Sequence, residues 1–169
     1  MILPVRIYGD PILRDVIPPV ASHAEVLPYV RDMIETMYDD DGIGLSANQA
    51  GLRSRFFVIG KNAFEDGRPD SVFINPAILE AYEETWDFEE GCLSVPGIRE
   101  WVVRPRTIRV RYTDETGTER EEVFTDYAAR VFQHELDHLN GIFFTDRISP
   151  IRRALNKKKL KELAESQNK

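Results

Sequence analysis

Residues 126–141 read DYAARVFQHELDHLNG, and this stretch decides the fold. Its six apolar side chains lie around most of a helical circumference, and the closing glycine is a typical helix stop. A helix that is apolar on several sides is usually buried, yet this one also carries His134, Glu135, Asp137 and His138. Four polar groups in a buried helix need strong partners, so the stretch predicts a central helix that carries a polar site.

The spacing of the two histidines suits a metal ion. Residues four apart on a helix are separated by about 40° around the axis and about 6 Å along it, so the His134 and His138 rings can converge. Glu135 projects to the side of such an ion, where it can take a proton from a metal-bound water. Two core histidines bonded to their neighbours would give the same pattern, so this stretch alone leaves both interpretations open.

The third ligand decides which class of metal site this is. Zinc proteases commonly recruit a further histidine or carboxylate downstream, but no histidine follows His138. Cys92, in the segment Glu90-Gly91-Cys92-Leu93-Ser94, is the other candidate, although a lone cysteine is usually an inert buried hydrophobe. A thiolate with two imidazoles would leave a fourth position open for water. The downstream acids that compete with it are Asp146, Glu162 and Glu165.

Composition narrows the class of protein. The length of 169 residues suits one compact domain spanning 1–169, and the apolar content of 42% is ordinary for a globular chain. No apolar run approaches the roughly 20 residues of a membrane span, and the N-terminus does not read as a signal peptide. A single cysteine excludes an intrachain disulfide. We therefore expect a cytoplasmic protein.

The net charge of −7 is unevenly distributed. Residues 151–169 hold seven basic and two acidic residues, so this predicted C-terminal helix carries +5 and the remaining 150 residues carry −12. An acidic body with a basic tail indicates contact with an anionic partner. The alternative is a solvated helix whose cations suit its C-terminal end.

The rest of the chain predicts a mixture of helix and antiparallel strands. Ser22 and Glu25 have capping-box spacing before an apolar helical pattern, although Pro28 favours a later start. Residues 42–49 are punctuated by glycines and read as a loop. The predicted strands are 56–59, 71–74, 106–113 and 119–124, the last two as a hairpin.

Three segments together resemble the peptide deformylase family. They are Gly42-Ile43-Gly44-Leu45-Ser46-Ala47-Asn48-Gln49, Glu90-Gly91-Cys92-Leu93-Ser94 and Gln133-His134-Glu135-Leu136-Asp137-His138. The resemblance implies a metal-dependent hydrolase that removes the formyl group from formyl-methionine of newly synthesised polypeptides and releases formate. It also implies an α+β fold in which antiparallel strands surround a central metal-binding helix, with an N-terminal and a C-terminal helix.

The resemblance further implies a role for each motif residue. Glu135 would act as general base and then carry the proton to the leaving amine. The Gln49 amide and the Leu93 backbone N–H would stabilise the oxyanion on the formyl carbon. The implied metal ligands are Cys92, His134 and His138.

Peptide binding is assigned in the same way, to Ile43, Gly44, Gly91, Arg99 and Val131. Gly44 would pair backbone to backbone with the peptide, although it can also serve a tight turn. Arg99 would contact the peptide chain, or it is simply a surface strand residue.

Some residues near the motifs are expected to hold the site residues in place, and others differ from the residues that are usual in the family. Arg104 aligns with an arginine that pairs with the glutamate matched by Glu90, which would fix the Cys92 loop. Asp137 is expected to be structural. The resemblance also implies an apolar pocket beside the metal helix for the formyl-methionine side chain, lined by Ile43, Val131 and His134. Arg130 is expected to crowd or charge the rim of this pocket. The departures are Ser46 for a more common alanine, and Arg130 and Phe132 where aliphatic residues often occur.

The cofactor and partners follow from the same resemblance. A Cys/His/His site suits Zn(II), Fe(II), Ni(II) or Co(II), and the resemblance implies one divalent ion, Fe(II) in the cell. The expected partners are nascent formylated peptides and, through the helix at 151–169, the ribosome. Specific DNA binding and membrane association are not expected.

Two other functions fit parts of the sequence. An ordinary metalloprotease would use a carboxylate or histidine as third ligand and cleave internal peptide bonds. A catalytically inactive metal-binding module would tolerate loss of Glu135 or Gln49, and both residues are present.

Overall fold

The computed structural model describes residues 1–167, in which three α-helices accompany two antiparallel sheets. The helices are α1 (Leu27–Asp39), α2 (Asp126–Leu139) and α3 (Pro150–Ser166). The strands are β1 (Gly44–Ser46), β2 (Phe56–Ile59), β3 (Ser71–Ala81), β4 (Thr85–Cys92), β5 (Val95–Pro105), β6 (Thr107–Thr113) and β7 (Glu119–Thr125). Within this described part of the chain, no helix is long and apolar enough to cross a membrane.

The larger sheet has the strand order β1-β2-β3-β6-β7, and β4 pairs with β5 in a separate hairpin. All pairings are antiparallel. The predicted α+β class with a central helix is confirmed. One local expectation is wrong, because Gly44–Ser46 is not loop but an edge strand paired with residues 57–59 of β2.

The larger sheet is covered on both faces, which explains why all four residues of β2 are buried. Successive strand residues point to opposite faces. Phe57 joins the core beneath α2, where its ring centroid lies 5.0 Å from that of Phe132 in an edge-to-face contact. Phe56 joins a second core with Met33 and Met37 of α1.

The helix boundaries follow the predicted signals closely. Ser22 and Glu25 form a capping box over a 3₁₀ turn, and α1 begins at Leu27 with Pro28 in its first turn. The central helix ends at Leu139, two residues before a glycine at φ +74°. A left-handed residue just beyond a helix strongly favours glycine.

The basic helix α3 is attached to β5 largely by polar contacts. Glu100 is 5% exposed and accepts hydrogen bonds from Arg152 Nη2 at 2.6 Å and Asn156 Nδ2 at 2.7 Å. Leu160 is the buried apolar residue of the helix. The predicted tail helix extends to residue 169. Residues 168 and 169, including the basic Lys169, lie outside the described part of the chain.

Candidate metal centre and active site

A thiol and two imidazoles converge where the end of β4 meets α2. The two Nε2 atoms of His134 and His138 are 3.3 Å apart, and Cys92 Sγ lies 3.1 Å from His138 Nε2. Two nitrogen ligands at about 2.0–2.1 Å from a tetrahedral ion lie about 3.3 Å apart, so this donor set fits a metal ion. The structure therefore brings the three predicted ligands together, all within 4.8 Å of one another.

The competing third ligands do not reach this group. Asp146 binds Arg14 at 2.6 Å, and Glu165 is an exposed residue of α3 next to Lys161. Among the described residues, only Cys92 joins the two histidines as a possible ligand. This arrangement does not match the carboxylate or histidine that a common zinc protease would use.

Glu90 orients the first histidine. His134 Nδ1 donates to Glu90 Oε1 at 2.8 Å, which fixes the ring and leaves Nε2 facing Cys92 and His138. Burial alone would raise the pKa of Glu90, but hydrogen bonds from His134 and Arg104 outweigh burial and hold this pKa well below its usual range. The sequence indicated the contact with Arg104 but not the contact with His134.

The ionic network continues behind the histidines. Arg104 donates to both oxygens of Glu90, at 2.7 and 2.9 Å, and to Asp137 at 2.8 Å. Asp137 also accepts from Arg147, so it points away from the metal-capable group and supports the network, as expected. These buried charges are paired on every side, which is the condition for tolerating them in an interior.

Arg130 lines the cavity beside the metal-capable group, but as a buried residue. Its side chain is 2% exposed, and its guanidinium donates to Glu90 at 2.7 Å and to the carbonyls of Val102 and Trp86 at 2.8 Å each. The charge is thus paired with Glu90 inside the protein. Phe132 is fully buried in the aromatic core and does not line the cavity.

Glu135 lies on α2 beside the metal-capable group, with its carboxylate packed against β1. A Cβ added to Gly44 would lie 2.9 Å from Glu135 Oε1 and 3.0 Å from Val131 Cγ1, so the glycine is required by this close approach. The other oxygen, Oε2, accepts from Ser46 Oγ at 2.7 Å. Burial raises the pKa of Glu135, and the charge of His134 and the hydrogen bond from Ser46 act in the opposite direction.

A side-chain amide faces the same centre. Gln49 is buried, and its Nε2 donates to Ser94 Oγ at 3.0 Å and lies 3.5 Å from Cys92 Sγ. Its Oε1 accepts from the Ser46 backbone N–H at 2.9 Å, which fixes the amide orientation. The sequence did not indicate that the Ser94 backbone N–H approaches Cys92 Sγ, at 3.4 Å.

One cavity of about 570 Å³ is lined by Cys92, His134, Glu135 and Gln49. Phe88 and Tyr127 also line it, with ring centroids 5.5 Å apart, and the sequence did not indicate either residue. Arg99 lies at the cavity, is paired with Glu89 at 2.8 Å and has a side chain that is 62% exposed. The cavity is lined by Gln49, Leu93, Glu135 and all five residues predicted to bind peptide, Ile43, Gly44, Gly91, Arg99 and Val131.

Comparison with known proteins identifies the family of this chain. The profile of the polypeptide deformylase family matches residues 2–154. The chain belongs to the polypeptide deformylase family. It is therefore a hydrolase that removes N-terminal formyl groups from newly made polypeptides, and metal dependence is a property of its family.

Individual relatives cover nearly the whole deformylase chain. The peptide deformylase of Thermotoga petrophila is 48% identical over 161 residues, which are 95% of each chain. The crystal structure of the peptide deformylase from Thermus thermophilus has a TM-score of 0.89 at 42% identity, covering 98% of this chain and 99% of the other. A Plasmodium falciparum peptide deformylase structure has a TM-score of 0.88 at 34% identity, covering 97% and 96%.

Proposed function

We propose that deformylation takes place at the centre formed by Cys92, His134 and His138, which would hold one divalent ion. The observation that carries this proposal is the convergence of three ligand atoms beside one cavity, which is lined by Cys92, His134, the buried carboxylate of Glu135 and the side-chain amide of Gln49. A bound ion supplies Lewis-acid chemistry, because it polarises a carbonyl and lowers the pKa of water. We further propose that residues 1–169 form a single catalytic domain.

Glu135 is the general base in this proposal. Its Oε2 is occupied by the hydrogen bond from Ser46, so Oε1, beside Gly44, is the oxygen that takes a proton from the attacking water. The same oxygen then gives this proton to the amine nitrogen that leaves as the C–N bond of the formamide breaks.

Gln49 and Leu93 stabilise the oxyanion that develops on the formyl oxygen. A primary amide has two N–H protons. Gln49 Nε2 donates one proton to Ser94 Oγ, and the other, which faces Cys92 Sγ at 3.5 Å, is the one donated to the formyl oxygen. The Leu93 backbone N–H is the second donor, in the turn that directly follows Cys92.

The peptide binds between the edges of β1 and β4. Within residues 1–167, β1 is the outermost strand of the larger sheet and β4 pairs with β5 alone, so each strand has an edge that can accept an added strand. Gly44 and Gly91 lie on these strands and line the cavity. The first side chain is placed against Ile43 and Val131, and Arg99 contacts the downstream backbone.

Fe(II) is the proposed ion in the cell, within a cytoplasmic enzyme. A soft thiolate with two imidazoles accepts Fe(II), Zn(II), Ni(II) and Co(II), so the ligand set supports but does not select iron. Anaerobic protein loaded in turn with Fe(II), Ni(II) and Zn(II) tests this assignment. Equal turnover with all three ions would refute a special role for iron.

The central experiment is formate release from formyl-Met-Ala-Ser by anaerobic, iron-loaded protein. Glu135→Ala is expected to lower kcat by about 10²–10⁴-fold, because it removes the general base. Cys92→Ser is expected to lose metal and activity together. No formate from the metal-loaded wild type would refute the proposal, and a Cys92→Ser variant that keeps its metal and its formate release would refute Cys92 as the third ligand.

Helix α3 is proposed to dock on the ribosome, where formylated chains emerge. Lys157 and Lys158 are exposed and can contact RNA phosphates. Truncation at α3 would leave Glu100 without its partners, so charge reversal is the cleaner test. Lys157→Glu with Lys158→Glu should weaken ribosome co-sedimentation and leave small-peptide turnover intact.

The matched control carries the same change in charge outside α3. It combines Arg31→Glu with Arg53→Glu, two exposed cations. Equal sedimentation of the α3 variant and this control would refute docking through α3.

A further inference from the structure

Ser46 contacts two groups of the proposed machinery from the end of β1. Its hydroxyl oxygen lies 2.7 Å from Glu135 Oε2 and 2.8 Å from the Glu135 carbonyl oxygen. Its backbone N–H donates to Gln49 Oε1 at 2.9 Å. Any residue except proline would provide the backbone contact, whereas the contact with the Glu135 carboxylate needs a side-chain hydroxyl.

The hydroxyl has one proton and two acceptors within reach, and the carboxylate is the stronger acceptor. The carbonyl oxygen of Glu135 lies inside α2 and accepts the N–H of Leu139 four residues later, as helical geometry requires. Hydrogen bonds to an ionised oxygen are roughly twice as strong as neutral ones. The Ser46 proton is therefore donated to Glu135 Oε2.

This bond fixes the rotation of the carboxylate about its last torsion angle. That torsion is broad for glutamate, so packing against Gly44 does not by itself decide which oxygen faces the cavity. Ser46 holds Oε2 on the side of β1, and Oε1 accepts no hydrogen bond from the residues that the structure describes. The hydroxyl is fully buried, so no bulk water competes for this bond.

We propose that Ser46 is a positioning residue that holds the Glu135 carboxylate with Oε1 directed at the reacting groups, while its backbone holds the Gln49 amide. The proposal rests on the assignment of Glu135 as general base. Ser46 would exchange no proton with the substrate. It would act only through the orientation of Glu135, so its loss should slow the chemical step and leave peptide binding unchanged.

The alternative is a structural hydroxyl that joins β1 to α2 through the Glu135 carbonyl. That role would lower the free energy of unfolding of Ser46→Ala without changing turnover by the folded, metal-loaded protein. Kinetics and stability measured on the same samples therefore separate the two roles.

The experiment compares metal-loaded wild type, Ser46→Ala and Ser46→Thr in formate release, with metal content measured on each sample. Ser46→Ala should keep its metal and its KM and lose about three- to ten-fold in kcat, as expected when a catalytic group is less well oriented. Ser46→Thr keeps a hydroxyl and should recover much of this loss. A crystal structure of metal-loaded Ser46→Ala should show the Glu135 carboxylate rotated or in more than one orientation.

Thr36→Val is the matched control, because it removes another fully buried hydroxyl, one that bonds to Leu3 and Asp32 in and around α1. It should lower stability and leave kcat unchanged. An unchanged kcat in Ser46→Ala, or a Glu135 carboxylate that keeps its orientation there, would overturn the proposal. Absence of formate release by wild type would instead refute the proposed function.

Discussion

At the scale of single residues, Glu90 has every acceptor position occupied. Its Oε1 accepts from His134 and Arg104, and its Oε2 accepts from Arg104 and Arg130. The carboxylate cannot turn without breaking at least one charged hydrogen bond. It therefore fixes the His134 ring more firmly than a single contact would.

Glu90→Gln is expected to weaken metal binding by about 10–100-fold, as other changes to the supports of metal ligands do. The amide keeps the shape but leaves Arg130 without a negative partner and Arg104 with Asp137 alone, so stability should fall by about 3 kcal/mol or more. Metal affinity is measured by chelator competition and stability by urea unfolding. Glu89 is an exposed neighbour on the same strand, so Glu89→Gln should change metal affinity and stability little. Equal effects of the two variants would contradict the role of Glu90 in holding His134.

Gly44→Ala is expected to lower kcat by about 10²-fold, because a displacement of about 1 Å at a catalytic group has this effect. The added methyl would lie 2.9 Å from Glu135 Oε1 and 3.0 Å from Val131, so the base must move. Gly67→Ala is the control, since its Cβ would meet nothing within 4 Å but must adopt φ +77°. That control should lose stability and keep kcat; a Gly44→Ala enzyme with normal kcat would contradict the role of this contact.

At the scale of secondary-structure elements, local signals predicted the helices and strands that have strong periodicity. The α2 stretch, the Ser22 capping box and the hairpin of β6 and β7 lie where their patterns indicated. Strand β1 was missed because Gly44 suggests a loop, and only pairing with β2 makes it a strand. Pairing between distant segments is decided by tertiary contacts, which local propensity does not contain.

The attachment of α3 to β5 is expected to depend on pH through Glu100. Hydrogen bonds from Arg152 and then Asn156 hold the pKa of Glu100 below its usual range despite burial. Because the pKa of Glu100 is lower in the folded state, its ionised carboxylate stabilises the fold fully above the unfolded-state pKa of about 4.3. This stabilisation is lost as pH falls through the folded-state pKa.

Glu100→Gln measures this contribution directly. At pH 7 the variant should have a lower free energy of unfolding than wild type, because the amide does not attract Arg152 as the carboxylate does. Urea unfolding from pH 7 down to pH 3 should show the difference shrinking as Glu100 of the wild type becomes protonated. A difference that stays constant over this range would exclude the carboxylate as its source.

At the scale of the whole molecule, the candidate site is assembled from three segments that are far apart in the chain. The metal-capable group joins β4 to α2, and β1 supplies Ser46 and Gly44 against Glu135, 89 residues further along. The motifs, taken with their resemblance to the deformylase family, were enough to predict the ligand set. The contact of Ser46 with Glu135 and the burial of Arg130 were not predictable, because both depend on how the segments pack.

Because its ligands come from different elements, a bound ion is expected to stabilise the entire fold. An ion that binds only the native state adds about 2.7 kcal/mol at a free concentration one hundred times its Kd. Chelation should therefore lower Tm, and re-addition of metal should restore it, as measured by calorimetry on anaerobic samples. In Cys92→Ser the difference between loaded and chelated samples should largely disappear. Thr36→Val is the control because it is remote from the ligands. It should lower the Tm of both the loaded and the chelated sample and keep the difference between them. A Cys92→Ser protein with the full difference in Tm would mean that the ion binds elsewhere.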